Sequence, residues 1–528
     1  MGRTFGHQDA WSASGSELTD MLSEIVRNKP IDDFLRDDSR CYLIGPKGTG
    51  KTLLLLKKGL EKRNLPEVRT IPPRGMEDPV DRSPFFGNLG HKFYRKHQAP
   101  IESDIAWTSV WLHAIVKAVI YDMCRLGIHS SSGKSMTDSK LKDYEEAQWR
   151  NIQGEIQQLF GTPPYYRLKT VSDFYKEDCQ FLDDAPREGL DRVRHEIDLL
   201  SSLYRDFRVP YYVFIDNLDE WYQQWPEFWL TCIFGNFQAI RSVRLNFRDI
   251  HIYTSIRQDI YGRFSTEKLT QYDDFISFLN YNNGELMSIF EGGIRRLDND
   301  LLQLPGVKDD NPMQAFFGDV KQIANKIVED KSEPVDQYLI RHTLLRPRDM
   351  ITIGNWIIRA KGTGQIDEDT IRTGVSEAAQ ETAKGYLEEI KPLVDARVQL
   401  LEFISQYFPS NIIDRKTAEH TCRQYNEDRQ SASCQSDCST CYNVHPVCAL
   451  YEVGLLGYAH LSPVNGKQVQ SFLRPGEVRY TSAPEKVPPS IAYFLHPILD
   501  EYLGNERVNK KCIVGYNLPF DPKVLSDK

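Results

Sequence analysis

The chain has 528 residues and a formal net charge of −9, with 26% charged and 40% hydrophobic residues. That is the balance of an ordinary folded protein long enough for roughly two to four domains. The acidic balance argues against general polyanion binding, leaving only a local basic face for nucleic acid, and no apolar run approaches the ~20 residues of a membrane span. The start, Met1-Gly2-Arg3-Thr4-Phe5-Gly6, has no apolar signal core and no hydroxyl residue at position 6. A cytoplasmic protein without membrane contact is therefore expected. Its ten cysteines are then expected as thiols or metal ligands.

In chain order, a polar entry leads to an amphipathic stretch from Leu18 to Ile31. Arg40-Cys41-Tyr42-Leu43-Ile44 is a short apolar run that reads as a buried strand, and Leu53 to Leu60 reads as a helix. Between them lies Gly45-Pro46-Lys47-Gly48-Thr49-Gly50-Lys51-Thr52, which fits G-x-x-x-x-G-K-[ST] in the strand–loop–helix setting that this phosphate-binding motif requires. The glycines let successive N–H groups face phosphate oxygens at a helix N-terminus. Lys51 is expected on the β- and γ-phosphates of ATP and the Thr52 hydroxyl on Mg²⁺.

The next strong strand, Tyr211 to Ile215, follows about 150 residues later, far more than a minimal βαβ unit of ~30 needs. A large insertion at about 75–205 is expected, with an apolar helix from Trp107 to Leu126 and a polar loop from Ser130 to Ser139. The strand ends in Asp216-Asn217-Leu218-Asp219-Glu220, so Asp216 is expected at its C-terminal edge, holding Mg²⁺ opposite the loop. Glu220 or Asp219 would orient the attacking water. A further strand ends in Thr254-Ser255-Ile256-Arg257, whose Ser255 and Arg257 are candidate γ-phosphate sensors. Phe275 to Leu279 is another candidate strand. Continuous apolar strands alternating with helices predict an α/β fold with a parallel sheet covered on both faces.

Residues 283–390 read as mostly helical. Within them Leu344-Leu345-Arg346-Pro347-Arg348-Asp349 opens a helix with proline at its start. Arginine is disfavoured there by the helix dipole, so Arg346 or Arg348 is expected to reach the nucleotide from a lid. Arg241, Arg244 and Arg263 are candidate fingers across an oligomer interface. Residues 391–528 change character. Five of the ten cysteines lie between Cys422 and Cys448. The spacing of Cys434, Cys438, Cys441 and Cys448 predicts a tetrahedral Cys₄ site, with structural zinc favoured over an iron–sulfur cluster. A helix from Val398 to Tyr407, a second helix end with a glycine stop in Ala449 to Gly457, and strands at Tyr458–Leu461 and Gln468–Leu473 flanking a turn predict an α+β, winged-helix-like domain. With 13 Lys/Arg against 14 Asp/Glu over 401–528, it argues for protein contact at least as strongly as for DNA or RNA. His496 is expected in the core or as a cap.

This order of parts resembles the AAA+/STAND division of P-loop ATPases. Phe5-Gly6-His7-Gln8-Asp9-Ala10 and the C-terminal part are similar to bacterial P-loop ATPases, some linked to phage defence. The resemblance, over residues 1–360, implies a five-stranded sheet in the order 5-1-4-3-2, a helical lid and nucleotide-driven homo-oligomerisation. The insertion exceeds the family norm, which favours a partner site there. Thr254-Ser255-Ile256-Arg257 departs from the family's Thr-Ser-Arg and leaves the role of Arg257 open. The domains expected are an ATPase core (1–282), a helical lid (283–390) and a Cys-rich winged-helix-like domain (391–528). The function expected is an ATP-hydrolysing switch or assembly, in antiviral defence. A nucleic-acid loader or sensor and a non-hydrolysing scaffold for an effector protein are the alternatives.

Overall fold

The computed structural model describes residues 5–6, 15–23, 25–65, 69–71, 104–131, 197–198, 200–201, 210–216, 226–262, 264, 270–325, 331–391, 394, 398–428, 445–464, 466–474, 477 and 487–525. The amphipathic entry is two helices, α1 (Gly15–Ser23) and α2 (Lys29–Arg36). They are separated at Asn28, whose side chain caps α2 by accepting from Ile31 N. There follow β1 (Tyr42–Gly45), α3 (Lys51–Arg63), β2 (Arg69–Ile71), α4 (Asp104–Ser131), β3 (Tyr211–Ile215), α5 (Pro226–Asn246), β4 (Ile250–Arg257), α6 (Gln258–Tyr261) and β5 (Ile276–Phe278). The five strands form one parallel sheet in the order β2-β3-β4-β1-β5. Read from β5, that is the 5-1-4-3-2 order the resemblance implied.

Alternation along the strands sorts side chains to two helical layers. Tyr42 faces α5, stacking on Phe237 at 4.2 Å and donating its hydroxyl to the Phe237 carbonyl. Its neighbour Leu43 faces the opposite side, in a cluster with Phe34 of α2, Leu54 and Leu55 of α3, and Tyr253. On the α5 side α4 packs so closely that a Cβ on Gly235 would lie 2.5 Å from that of Trp107, and Trp111 Nε1 donates to the Cys232 carbonyl at 3.0 Å. The described part of the expected insertion is α4 and residues 197, 198, 200 and 201. Because α4 runs to Ser131, the Ser130–Ser139 stretch begins as helix rather than loop; its remainder lies outside the described residues.

The second unit contains α7 (Asn283–Arg296), α8 (Pro312–Phe317), a two-stranded ribbon β6 (Gln322–Ala324) and β7 (Ser332–Pro334), α9 (Val335–Arg341), α10 (Pro347–Lys361) and α11 (Glu368–Ile390). α10 and α11 are an antiparallel hairpin, close enough that a Cβ on Gly374 would lie 2.6 Å from Ile357 Cα. Phe5 is fully buried in this unit, against Phe290 and Phe316 and in the notch left by Gly293 and Gly354. Its N–H donates to Asn355 Oδ1, and Asn355 Nδ2 donates to the Gly6 carbonyl. The chain's start is thereby pinned to the helical unit.

α11 spans the expected boundary at 390. Its Ile371, Val375 and Ala378 belong to the core of the helical unit, whereas Ala379, Ala383, Tyr386 and Ile390 belong to that of the C-terminal unit. There α12 (Leu400–Glu402) continues as a π turn to Tyr407, followed by β8 (Ile412–Ile413), α13 (Arg415–Asp428), α14 (Pro446–Glu452), β9 (Leu456–Leu461), β10 (Gln468–Ser471) and β11 (Tyr493–Leu495). The expected hairpin is β9–β10. An antiparallel β11 inserts between β9 and β8, giving β10-β9-β11-β8, so β8 does not pair with the hairpin. The glycine stop of α14 is Gly454, with φ +76°; Gly457 lies inside β9, where a Cβ would meet the Ser471 carbonyl at 2.6 Å. His496 is fully buried. Its Nδ1 accepts from Ile498 N and its Nε2 faces Tyr516 OH at 3.1 Å, which is the capping role expected.

Candidate functional site

The Gly45–Thr52 segment leaves the C-terminal edge of β1 and enters α3. Gly48 (φ +83°) and Gly50 (φ +86°) take the left-handed region, which L side chains adopt only at a cost. Thr49 is buried and its Oγ1 donates to the Pro46 carbonyl at 2.8 Å, closing the turn. Lys51 Nζ donates to the carbonyls of Gly45 and Pro46 at 3.0 Å each, so the ammonium lies over the loop. Tyr281, just past β5, donates its hydroxyl to the Thr49 carbonyl at 2.8 Å. The backbone N–H of Arg348 donates to the Gly48 carbonyl at 3.2 Å. A Cβ on Gly48 would meet Arg348 Cβ at 2.9 Å. Gly48→Ala is therefore expected to strain the loop by about 1–2 kcal/mol and push α10 away, read as a lower melting temperature.

Neighbouring strands bring in the other expected residues. Register pairs Gly45 with Arg257, Leu43 with Ser255 and Ile215 with Thr254. Asp216 follows β3 directly, and Ser255 Oγ donates to Asp216 Oδ1. Thr52 is the second residue of α3. A hydroxyl and a carboxylate are the hard oxygen donors that suit Mg²⁺, which keeps several waters and takes few protein ligands. Among the described residues no group of three or more His, Cys, Asp or Glu converges. Asp219, Glu220 and Arg263 lie outside the described residues.

Arg257 is 3% exposed and makes a bidentate pair with Asp259 (2.9 and 2.5 Å). The same guanidinium lies 3.3 Å from Glu389 Oε1, and Arg346 Nη1 lies 3.4 Å from Glu389 Oε2. Arg346 also stacks over Tyr386 at 4.5 Å. Burial by itself raises the pKa of Glu389, but the charges of Arg346, Arg257, Lys47 and Lys51 outweigh it and keep the group below its ordinary value. Sequence reasoning missed Glu389. The signal was an acid in the last turn of a helix, where the dipole disfavours it.

The segment that aims Arg346 and Arg348 is itself strained. Leu345 has φ +55°, a conformation costing a non-glycine residue about 1–3 kcal/mol. Two polar contacts hold it: Leu344 N donates to Asp349 Oδ2 at 2.8 Å, and Leu345 N donates to Thr343 Oγ1 at 3.1 Å. Burial raises the pKa of Asp349 despite Arg346 nearby. Asp349→Ala leaves a buried N–H unsatisfied and is expected to cost about 1–3 kcal/mol in urea unfolding, with Asp349→Asn, which keeps an acceptor, costing less.

Residues 314–384 match the FunZ-associated C-terminal helical domain. The match runs from within α8 through most of α11, including Arg346, Arg348 and Asp349, and ends five residues before Glu389. No curated protein is similar to the chain.

Of the three candidate fingers, Arg241 and Arg244 are described and meet residues outside the loop. Arg244 donates to the Ser39 carbonyl at 2.6 Å and to Cys41 Sγ, and Arg241 lies over Tyr272 at 5.8 Å. Of the cysteine cluster, Cys434, Cys438 and Cys441 lie outside the described residues. Cys448 and Cys422 are buried; Cys448 N donates to His445 Nδ1 at 3.2 Å, and Cys422 Sγ is 3.8 Å from the same nitrogen. No described helix is long and apolar enough to cross a membrane.

Proposed function

We propose that the chain binds ATP·Mg²⁺ on the Gly45–Thr52 loop and hydrolyses it as a nucleotide-dependent switch. The observation that carries this reading is the loop itself. It holds two left-handed glycines and a lysine between the edge of a parallel strand and a helix N-terminus, with Asp216, Ser255 and Arg257 on the strands alongside. In this reading the loop N–H groups and Lys51 take the phosphates, while Thr52 and Asp216 hold Mg²⁺. Glu220 or Asp219 orients water, and Arg257, Arg346 and Arg348 meet the terminal phosphate. Mg²⁺ supplies charge neutralisation on the phosphate oxygens. The contact of Arg348 with Gly48 gives the helical unit a direct means of sensing the loop, as γ-phosphate switches require.

The output we propose is assembly into a homo-oligomer or recruitment of an effector protein, because the near-neutral charge of residues 401–528, 13 Lys/Arg against 14 Asp/Glu, favours protein contact at least as strongly as nucleic acid. Structural zinc on Cys434, Cys438, Cys441 and Cys448 belongs to the same proposal, as do a cytoplasmic setting and a role in antiviral defence. The resemblance and the FunZ-associated match support the last of these. The test is light scattering on the full chain with and without ATP·Mg²⁺, with phosphate release followed in parallel. A nucleotide-dependent change in mass with release of phosphate is expected. An unchanged mass with no release overturns the reading, and tight binding without release favours the scaffold.

A further inference from the structure

Glu389 is a buried carboxylate whose two oxygens serve two different arginines, Arg257 and Arg346. Arg257 already has a bidentate carboxylate in Asp259, so it does not need Glu389 for neutralisation alone. Both arginines border the phosphate loop. Arg257 is in register with Gly45, and Arg346 is two residues from Arg348, whose N–H is bonded to Gly48. Glu389 itself comes from the half of α11 that is built into the C-terminal core. One turn earlier Tyr386 is buried there and donates its hydroxyl to the Val453 carbonyl. One carboxylate thus ties the cationic rim of the loop to the C-terminal unit.

We propose that Glu389 competes with the terminal phosphate of a nucleoside triphosphate for Arg257 and Arg346, so that triphosphate binding releases the end of α11 and loosens the C-terminal unit from the loop. The inference rests on the ATP reading above. A terminal phosphate carries more charge than a carboxylate and offers three oxygens to guanidinium groups. A diphosphate lacks that group, so the exchange discriminates triphosphate from diphosphate. The two anions are linked reciprocally: whatever affinity the phosphate gains by removal of Glu389, the C-terminal contact loses on phosphate binding.

The experiment is calorimetric titration of the full chain with ADP and with a non-hydrolysable ATP analogue, each with Mg²⁺, for wild type, Lys51→Ala, Glu389→Gln and Glu389→Asp. Glu389→Gln is expected to bind the analogue about tenfold tighter and ADP within about twofold of wild type. Glu389→Asp keeps the charge but shortens its reach, and carries the test if the amide variant melts early; it is expected to tighten the analogue by about threefold. Analogue binding that is unchanged or weaker, or ADP binding tightened equally, in a folded variant overturns the competition while leaving the ATP reading intact. Wild type that binds neither nucleotide, or Lys51→Ala that binds both normally, overturns the ATP reading and this inference together.

Discussion

Lys51→Ala is expected to abolish ATP binding and phosphate release in a chain that still folds. The two effects separate because the lysine's contacts within the protein are weak and its expected contacts with phosphate are strong. Within the chain its ammonium, itself only half-buried, donates to two loop carbonyls, of Gly45 and Pro46. Such bonds from a charged donor are worth at most about 1.5–3 kcal/mol each, and alanine at the first position of α3 returns part of that through helix propensity. Toward a triphosphate the same ammonium would be a charge-assisted donor on a developing anion, and removing one such donor from a preorganised site costs about 10²–10³-fold in rate. Calorimetry, a phosphate-release assay and a thermal melt on the same preparation check all three quantities. Wild-type hydrolysis in the variant would remove the loop from the chemistry altogether. A collapsed melt would instead show that the lysine's bonds to Gly45 and Pro46 hold the loop in shape.

What the sequence announced and what it concealed divide along physical lines. β1 and β3 are continuous apolar runs, and β4 starts with Ile250, Ile252 and Tyr253, because strands covered by helices on both faces have little polar side to show. β2 carries only Arg69-Thr70-Ile71 and pairs on one side, with β3. With a cation, a hydroxyl and one apolar side chain it shows no apolar run and did not register, whereas β5, equally short and at the other edge, sits in the apolar run Phe275 to Leu279. The loop was legible because phosphate chemistry forces its spacing. Glu389 was not, since it meets Arg257 and Arg346 only through the tertiary fold.

The helix ends nevertheless held a clue. Arg346 and Arg348 sit at the N-terminus of α10 and Glu389 in the last turn of α11, each with the sign its helix dipole disfavours. In an antiparallel hairpin those two ends are neighbours, so the two local misfits answer one another. The glycine stop expected within Ala449 to Gly457 is Gly454, at the end of α14, while Gly457 serves a close strand approach inside β9.

The second large expected effect concerns stability, at Asp38. This carboxylate lies behind the phosphate loop, under α3, and receives Lys62 Nζ at 2.7 Å, Tyr253 OH at 2.9 Å and Tyr212 OH at 3.1 Å, with Lys58 Nζ 3.4 Å away. Lys58 is fully buried. Its ammonium also donates to the Phe34 and Asp37 carbonyls and lies 4.1 Å from the centre of the Tyr253 ring. Burial pushes the Lys58 pKa down to about 8 even with Asp38 present, so desolvation of the ammonium already exceeds what its neighbours return. For Asp38 the balance runs the other way. Burial would raise its pKa, but its hydrogen bond from Lys62 and the charge of Lys58 lead the groups that lower it to about 2.

Removing the anion while keeping the cation should therefore be costly. Asp38→Asn is expected to destabilise the chain by about 3 kcal/mol, the lower end for stranding one partner of a buried pair, since Asp38 is partly exposed. Lys58→Met, which removes the charge at similar volume, should cost far less, and Asp38→Asn with Lys58→Met should recover at least half of the loss in a double-mutant cycle. The pH dependence has a definite sign. A lysine lowered on folding binds fewer protons in the native state than in the unfolded one, so stability rises with pH between about 8 and the free value of 10.5. Asp38→Asn lowers the lysine further, so its penalty should be larger at pH 6 than at pH 9, where the buried amine is free to lose its proton. In wild type the contribution of Asp38 is present above the free value of 3.8 and disappears as pH falls toward about 2. Urea unfolding of wild type and the three variants at the two pH values decides the matter. Additive single-variant losses, or a penalty independent of pH, would mean that Lys58 is held by the Phe34 and Asp37 carbonyls and the aromatic faces alone, and that Asp38 answers only to Lys62.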